Sequence, residues 1–404
     1  MTSRARASGA GTAAAAAALL CFLSGPAARA ESRSEEDMTP LSLVAGADVV
    51  AVVRGERPSP GAPAAEGVLG RLRILEVLRG AAVAEEVLPV EGREDLNDLR
   101  VVPGVRSVAF LQRLPGKRWQ VLGDARGLLA LEESPPGGAE APALSLLRIL
   151  VEEARPGGGL AAPGRVRAAL VDAATGGDPR FRAGAALDLL RVPGLLARAT
   201  EVERAALLEA FRTAENRFRV KFHLARMVGH LSPEGGARLL ADALLAPEGF
   251  AIRPAVGLAL ADLGDPEAVA LLASRAATAS AEARALIAGA LGWSGLAAAR
   301  GPLEALLGAA EPPVRSEAAV ALGRLRTAEA APALLSRFLG EPGGAASEGD
   351  AGVRRALAWA LAQCDAPEAW RALEAAAAAE GRESESFRGF VRGVLENPRR
   401  SFVR

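Results

Sequence analysis

Histidine is scarce in this sequence: His223 and His230 are the only two. They stand seven apart on one predicted helix, two turns or about 10 Å from each other. That is too far to share a metal ion without ligands from elsewhere. Cys364 sits near the end of an Ala-rich apolar helix and reads as a small buried side chain rather than a nucleophile. The run Gly157-Gly158-Gly159 has no following lysine and no strand-to-helix context, so it is no phosphate loop. Glu304, Glu317 and Glu329 are scattered acids that read as solvated surface. Metalloprotease, nucleophile-elbow and dinucleotide-binding patterns are absent. The expectation is no catalytic, cofactor or metal site, and no enzyme.

Recognition has better candidates. Arg253, Arg284, Arg315 and Arg354 recur at one position of a repeated segment. Such a row could face an acidic partner, or form a ladder paired to acids of adjacent repeats. Among the four tryptophans, Trp359 aligns with Val320, a position expected near the outer helix surface, and joins the arginines as a candidate contact. Trp370 aligns with the packing position Ala331 and is expected in the core. Trp293 and Trp119 stay open between core and surface.

These residues sit on a chain of 404 residues, half hydrophobic and 24% charged. That is ample for a core and excludes a wholly disordered chain. The 48 basic residues balance the 48 acidic ones, so no global field points to nucleic acid. The 91 Ala and 46 Arg against 2 Lys make arginine less telling here than elsewhere. Residues 1–30 carry a basic start (Arg4, Arg6), an apolar run from Ala13 to Leu23, Pro26, and Ala28-Arg29-Ala30. Those are the parts of a secretory signal peptide. Its apolar stretch is short for a membrane span, and the residues before Cys21 fit a lipoprotein site poorly. Cleavage after Ala30 leaves 45 basic against 48 acidic residues and one cysteine. No intramolecular disulfide can then form, and no later stretch reads as a transmembrane helix. The expected location is periplasmic or extracellular.

The two halves of the chain differ in period. Residues 41–132 alternate, in strands from Leu43 to Val53, Gly67 to Val77, Glu86 to Val90, Arg106 to Gln112, Arg118 to Leu122 and Leu128 to Leu131, punctuated by Gly and Pro. The spacing predicts a small closed antiparallel barrel with one wet face. Ala47-Asp48-Val49-Val50, Ile74-Leu75-Glu76-Val77-Leu78-Arg79-Gly80 and Pro103-Gly104-Val105-Arg106 follow in an order that resembles small oligonucleotide/oligosaccharide-binding-like barrels of netrin type. Those usually carry cysteines, which this segment lacks. Residues 133–164 form a Pro- and Gly-rich linker with one helix from Leu144 to Ala154. From residue 165 to 397 the chain repeats: anchors at 220, 252, 283 and 314 stand 32, 31 and 31 residues apart, with a further copy at Val353. Each copy predicts a helical pair, with starts such as Asp265-Pro266-Glu267. The sequence Val-Arg, then Ala-Leu-Gly, then Pro-Glu-Ala resembles short HEAT-like repeats named after phycobilisome lyases. The resemblance implies a stacked α-α superhelix that holds a protein partner.

The fold expected is thus mixed and mainly α: a small barrel followed by a helical solenoid. Phe387, Phe390, Val391 and Val394 form a stripe that predicts a capping helix over 384–397, with 398–404 a flexible basic tail. The function expected is a noncatalytic exported scaffold for an unknown protein partner. The alternative is a module that binds a cell-envelope glycan through the barrel. No cofactor and no nucleic acid are expected.

Overall fold

A computed structural model describes residues 39–56, 68–82, 84–91, 101–115, 118–122, 127–131, 141–155, 159–176, 178–213, 220–247, 249–340, 348–380 and 383–398. The predicted signal segment and residues 399–404 lie outside them. The chain divides into two compact units, residues 1–207 and 208–404. Among the described residues no helix is long and apolar enough to cross a membrane.

The first unit opens with helix α1 (Pro40–Gly46). Thr39 caps it, its side chain accepting from the Ser42 amide, and Pro40 sits in the first turn. The strand expected from Leu43 therefore starts only at Val49. Strands β1 (Val49–Glu56), β2 (Val68–Arg79), β3 (Val87–Glu91), β4 (Arg106–Leu114), β5 (Arg118–Val121) and β6 (Leu128–Ala130) follow. Five of them close a ring in the order β1-β2-β3-β5-β4 and back to β1, and β6 adds onto β4. The β3–β5 pairing is parallel. A ring with an odd number of strands cannot be antiparallel throughout, so the expected all-antiparallel barrel is corrected at this one seam.

The ring is packed solid. Val49, Ala51, Val53, Leu72, Ile74, Leu88, Val90, Ala109, Leu111 and Val121 form its buried core, and Trp119 packs against it. At one end Val101 lies over two glycines; a Cβ on Gly70 would fall 2.6 Å from the Val101 Cβ. Outward residues Val50, Val52, Val108 and Phe110 are also buried, and α1 packs on β4. This stretch of β1 and β4 has no wet face, contrary to the alternation expected.

Helix α2 (Pro142–Glu153) lies against β2, where Arg148 grips Glu76 through two bonds of 2.7 and 2.8 Å. Helices α3 (Pro163–Thr175) and α4 (Pro179–Arg191) follow. The carboxylate of Asp188 on α4 accepts from the Leu41 amide at 3.0 Å, and a Cβ on Gly184 would meet Pro40 Cδ at 2.7 Å. Burial raises the Asp188 carboxyl to about 7, against the opposing pull of its bonds to Thr39 and Leu41 and the charge of Arg191. These ties hold α2 to the barrel and α4 to α1. They explain why the units divide at 207/208 and not in the Pro- and Gly-rich stretch 133–164.

Helix α5 (Glu201–Thr213) spans that division. The second unit continues with α6 (Val220–Leu231), α7 (Gly236–Leu244), α8 (Gly249–Leu263), α9 (Pro266–Ala276), α10 (Ala281–Ser294), α11 (Arg300–Leu307), α12 (Pro312–Leu325), α13 (Ala331–Leu339), α14 (Ala351–Gln363), α15 (Pro367–Ala378) and α16 (Glu385–Glu396). Starts are set locally: the side chains of Asp265, Ser280, Asp350 and Ser384 cap α9, α10, α14 and α16. The anchors Val220, Ile252, Val314 and Val353 are buried in the first helix of each pair.

The first helices α6, α8, α10, α12 and α14 pack side by side. Small residues let them touch backbone to backbone. A Cβ on Gly257 would lie 2.5 Å from the Ala290 carbonyl, one on Gly292 2.6 Å from Ala321 Cα, and one on Gly323 2.8 Å from Ala360 Cα. The second helices α7 and α9 are instead bridged by long side chains, Arg275 to Asp242 at 3.0 Å. Spacing follows the side chains at the contact, so the first helices make the closer-packed, inner row of the pairs. Helix α16 closes the end: Phe387, Val391 and Val394 are buried, and the Phe387 ring lies 6.2 Å from Phe338. Gln363 Nε2 donates to the Pro398 carbonyl beyond it.

Candidate interaction surface

The four recurring arginines all land near the start of a first helix, as their spacing requires. None is left facing solvent for an acidic partner. Arg284 reaches Glu311 at 2.7 Å, and Arg354 pairs with Glu383. The Arg354 guanidinium also lies over the Phe387 and Phe338 rings at 4.8 and 5.5 Å. Arg315 is buried and grips both oxygens of Glu348 at 2.7 and 2.8 Å, while its Nη1 donates to the carbonyls of Ala309 and Ala310. The row is an internal ladder, which is the alternative the sequence left open.

Glu348 is a fastener. It stands just after the extra residues that lengthen this repeat, and Arg315 and Arg337 both hold it. Burial alone would push its carboxyl up. The Arg315 hydrogen bonds, the Asp350 amide, the Arg315 charge and Arg337 outweigh burial and hold it down at about 2.

Arg253 does something different. Its Nη1 reaches Glu317 at 3.0 Å, from α8 to α12 across the intervening helix α10. Gly289 on α10 makes the passage: a Cβ there would fall 2.4 Å from Arg253 Cδ and 2.9 Å from Glu317 Oε1. Glu317 is only 2% exposed, which corrects its reading as a solvated acid. Arg324 stands 3.6 Å from the same oxygen, and its guanidinium lies 4.7 Å over the Trp293 ring. At the other end Arg253 lies 5.1 Å over Phe250. The result is a chain, Phe250–Arg253–Glu317–Arg324–Trp293, along the inner row. Its two aromatic ends are exposed, Phe250 by 67% and Trp293 by 39%.

Trp359 is not on the surface. It is buried on α14 and its ring edge occupies the space beside Gly323, so the glycine that lets helices approach also receives the indole. Trp370 is half-buried. Sequence reasoning named Trp293 without placing it and missed Phe250. The available signal was Gly289, which interrupts a column otherwise occupied by Arg226, Leu258, Val320 and Trp359.

Chemistry-bearing residues remain apart. His223 is buried, edge-on to Phe222 at 5.4 Å, and His230 lies 3.6 Å from Asp262 in the next repeat. Among the described residues no group of three or more His, Cys, Asp or Glu is placed to hold a metal. Burial pushes the Cys364 thiol up to about 11, away from nucleophilic use. In the barrel, Arg113 lies 5.8 Å over the Trp119 ring.

Stacked helical pairs in an unbroken row, following a small closed barrel, define a helical-repeat protein. Residues 275–346, over the α10–α13 segment, match the family of HEAT repeats. No curated protein matches the chain. Among solved structures it is similar to human deoxyhypusine hydroxylase in complex with glycerol, at 18% identity over 58% of this chain and 96% of that one, with a TM-score of 0.24. Two engineered proteins are similar at 17% and 19% identity. They cover 65% and 57% of this chain and 76% and 94% of their own, with TM-scores of 0.28 and 0.27. Likeness at this level carries no functional argument.

Proposed function

We propose that the protein is a noncatalytic scaffold that holds a protein partner on the inner row of its helical unit, and that residues 1–30 export it to the periplasm or cell exterior. One observation carries the reading: the paired exposed aromatics Phe250 and Trp293, each under an arginine that a buried glutamate holds in place. Trp and Arg dominate the energetics of protein interfaces, most of all where the contact is rigid beforehand. Stacked HEAT repeats provide extended surfaces of this kind.

Photo-crosslinking tests the surface. A photoreactive residue placed at Leu258 or Leu286 on the inner row should capture a discrete partner, and one at Glu374 on the outer layer should not. Trp293→Ala together with Phe250→Ala should abolish the inner capture while leaving the fold intact. Equal capture from both layers, or capture indifferent to the double substitution, refutes the surface. Export is tested separately, by cell fractionation and by sequencing the mature N-terminus, which should begin at Glu31.

A further inference from the structure

The two exposed aromatics of the inner row set a length. A Cβ on Gly257 would fall 2.4 Å from the Trp293 Cβ, so Trp293 stands level with Gly257 on α8. Phe250 precedes Gly257 by two helical turns, about 10 Å along the axis. Cations occupy the interval. Arg253 stands one turn after Phe250, and Arg253 and Arg324 reach the same oxygen of Glu317 at 3.0 and 3.6 Å. Two guanidiniums thus share one carboxylate. Arg226 on α6 flanks the same stretch of α8, because a Cβ on Gly229, one turn on, would meet the Ala259 carbonyl at 3.0 Å. The Arg226 Nε is buried and makes no hydrogen bond, and no acid among the described residues lies within ion-pair distance of this arginine. Glu282, in the first turn of α10, is two turns from Gly289 and leaves the middle of the interval cationic.

Taking the inner row as the partner surface, on which this inference rests, we propose that the partner docks there as an amphipathic helix, with apolar residues at i and i+7 and an acid between them at i+3 or i+4. A helix carries i and i+7 on one face about 10.5 Å apart, with i+3 and i+4 midway on the same face. That matches the order aromatic, cation, aromatic, and it is the anchor pattern of a helix laid in a groove. A polyproline helix returns to one face every third residue, about 9.3 Å. It spans the aromatics but presents nothing midway to the arginines. An extended strand has same-side groups about 6.7 Å apart, so its second step overshoots Trp293. The apolar ends of the docked helix cover Phe250 and Trp293. Its acid meets Arg253 and Arg324 with Arg226 alongside, in charge-assisted hydrogen bonds.

The test uses the full chain and a stapled, alanine-based helical peptide with leucines at i and i+7 and glutamates at i+3 and i+4, followed by fluorescence anisotropy. Saturable binding is expected, weakening as salt rises. Replacing the peptide's glutamates by glutamine should weaken it at least tenfold. Phe250→Ala and Trp293→Ala should each do the same; both change exposed side chains, and circular dichroism checks the fold. Arg226→Gln should weaken the glutamate peptide and leave the glutamine peptide unchanged. No saturable binding, equal binding of the two peptides, or tighter binding of a proline-rich peptide overturns the helical, acidic partner. Binding indifferent to both Phe250→Ala and Trp293→Ala overturns its placement. Photo-capture from Leu258 that persists while the peptide is refused overturns this inference and leaves the inner surface standing; loss of both overturns the surface as well.

Discussion

A single carboxylate can report on its surroundings through pH. Glu348 has its folded-state pKa depressed from 4.5 to about 2, so its contribution is present above about 4.5 and is lost as pH falls toward 2. The shift corresponds to about 3 kcal/mol at neutral pH. Glu348→Gln should therefore lower stability by about that amount at pH 7 and by progressively less below pH 4, read from urea melts. An equal loss at pH 7 and pH 3 would show that Arg315 gains nothing from the charge. Asp188 has the opposite sign. Its folded pKa is raised from 3.8 to about 7, so the native state keeps a proton that the unfolded chain gives up, and stability falls as pH rises from about 4 to about 7. Asp188→Asn should flatten that slope while keeping an acceptor for the Leu41 amide. A slope that persists in the variant would place its origin elsewhere. Neither residue was legible as special in the sequence, because each derives its character from partners distant in the chain: Thr39 and Leu41 for Asp188, Arg315 for Glu348.

At the scale of the helix, glycines on the inner row do two different jobs. Gly292 admits the backbone of one neighbouring helix, and Gly289 admits a side chain of the other on its way to Glu317. Their alanine variants should fail differently. Gly292→Ala would place its Cβ 2.6 Å from Ala321 Cα, and overpacking against backbone costs about 1–3 kcal/mol. Gly289→Ala would push Arg253 off Glu317 and leave a buried acid short of its partner. Its cost should shrink when Glu317 is already Gln, as a double-mutant cycle would measure, whereas the cost of Gly292→Ala should be indifferent to Glu317→Gln. Additive losses for the Gly289 pair would deny the passage. The repeat spacing made the helical pairs and their order plain, down to the Asp-Pro-Glu start of α9. It placed the four arginines at one turn, but their partners lie off the repeat. Glu311 and Glu348 come from connections of unequal length, which no periodic pattern announces. The barrel was legible as strands; its parallel seam follows from the strand number, and α1 was hidden because Leu43 and Val44 suit either state.

For the whole molecule, the end of the stack is a test of its architecture. Deleting residues 384–404 removes Phe387, Val391 and Val394 from buried positions, and should lower the melting temperature and promote association. Phe387→Ala alone should cost about 3–5 kcal/mol. Removing only 399–404 should change stability within about 0.5 kcal/mol. Unchanged melting and solution size after the longer deletion would mean that α16 is no cap. A solenoid whose repeats touch only their neighbours should, when pulled from its C-terminus, peel one helical pair at a time with evenly spaced force peaks. This one is not uniform. Arg253 ties α8 to α12 over the head of α10, so three pairs share one fastening. Under load the α14–α16 end comes away first, and the segment from α8 to α12 then resists as a block and gives way in one larger rip. Within the second unit, the exposed aromatics Phe250 and Trp293 sit on the segment that this tie should hold together.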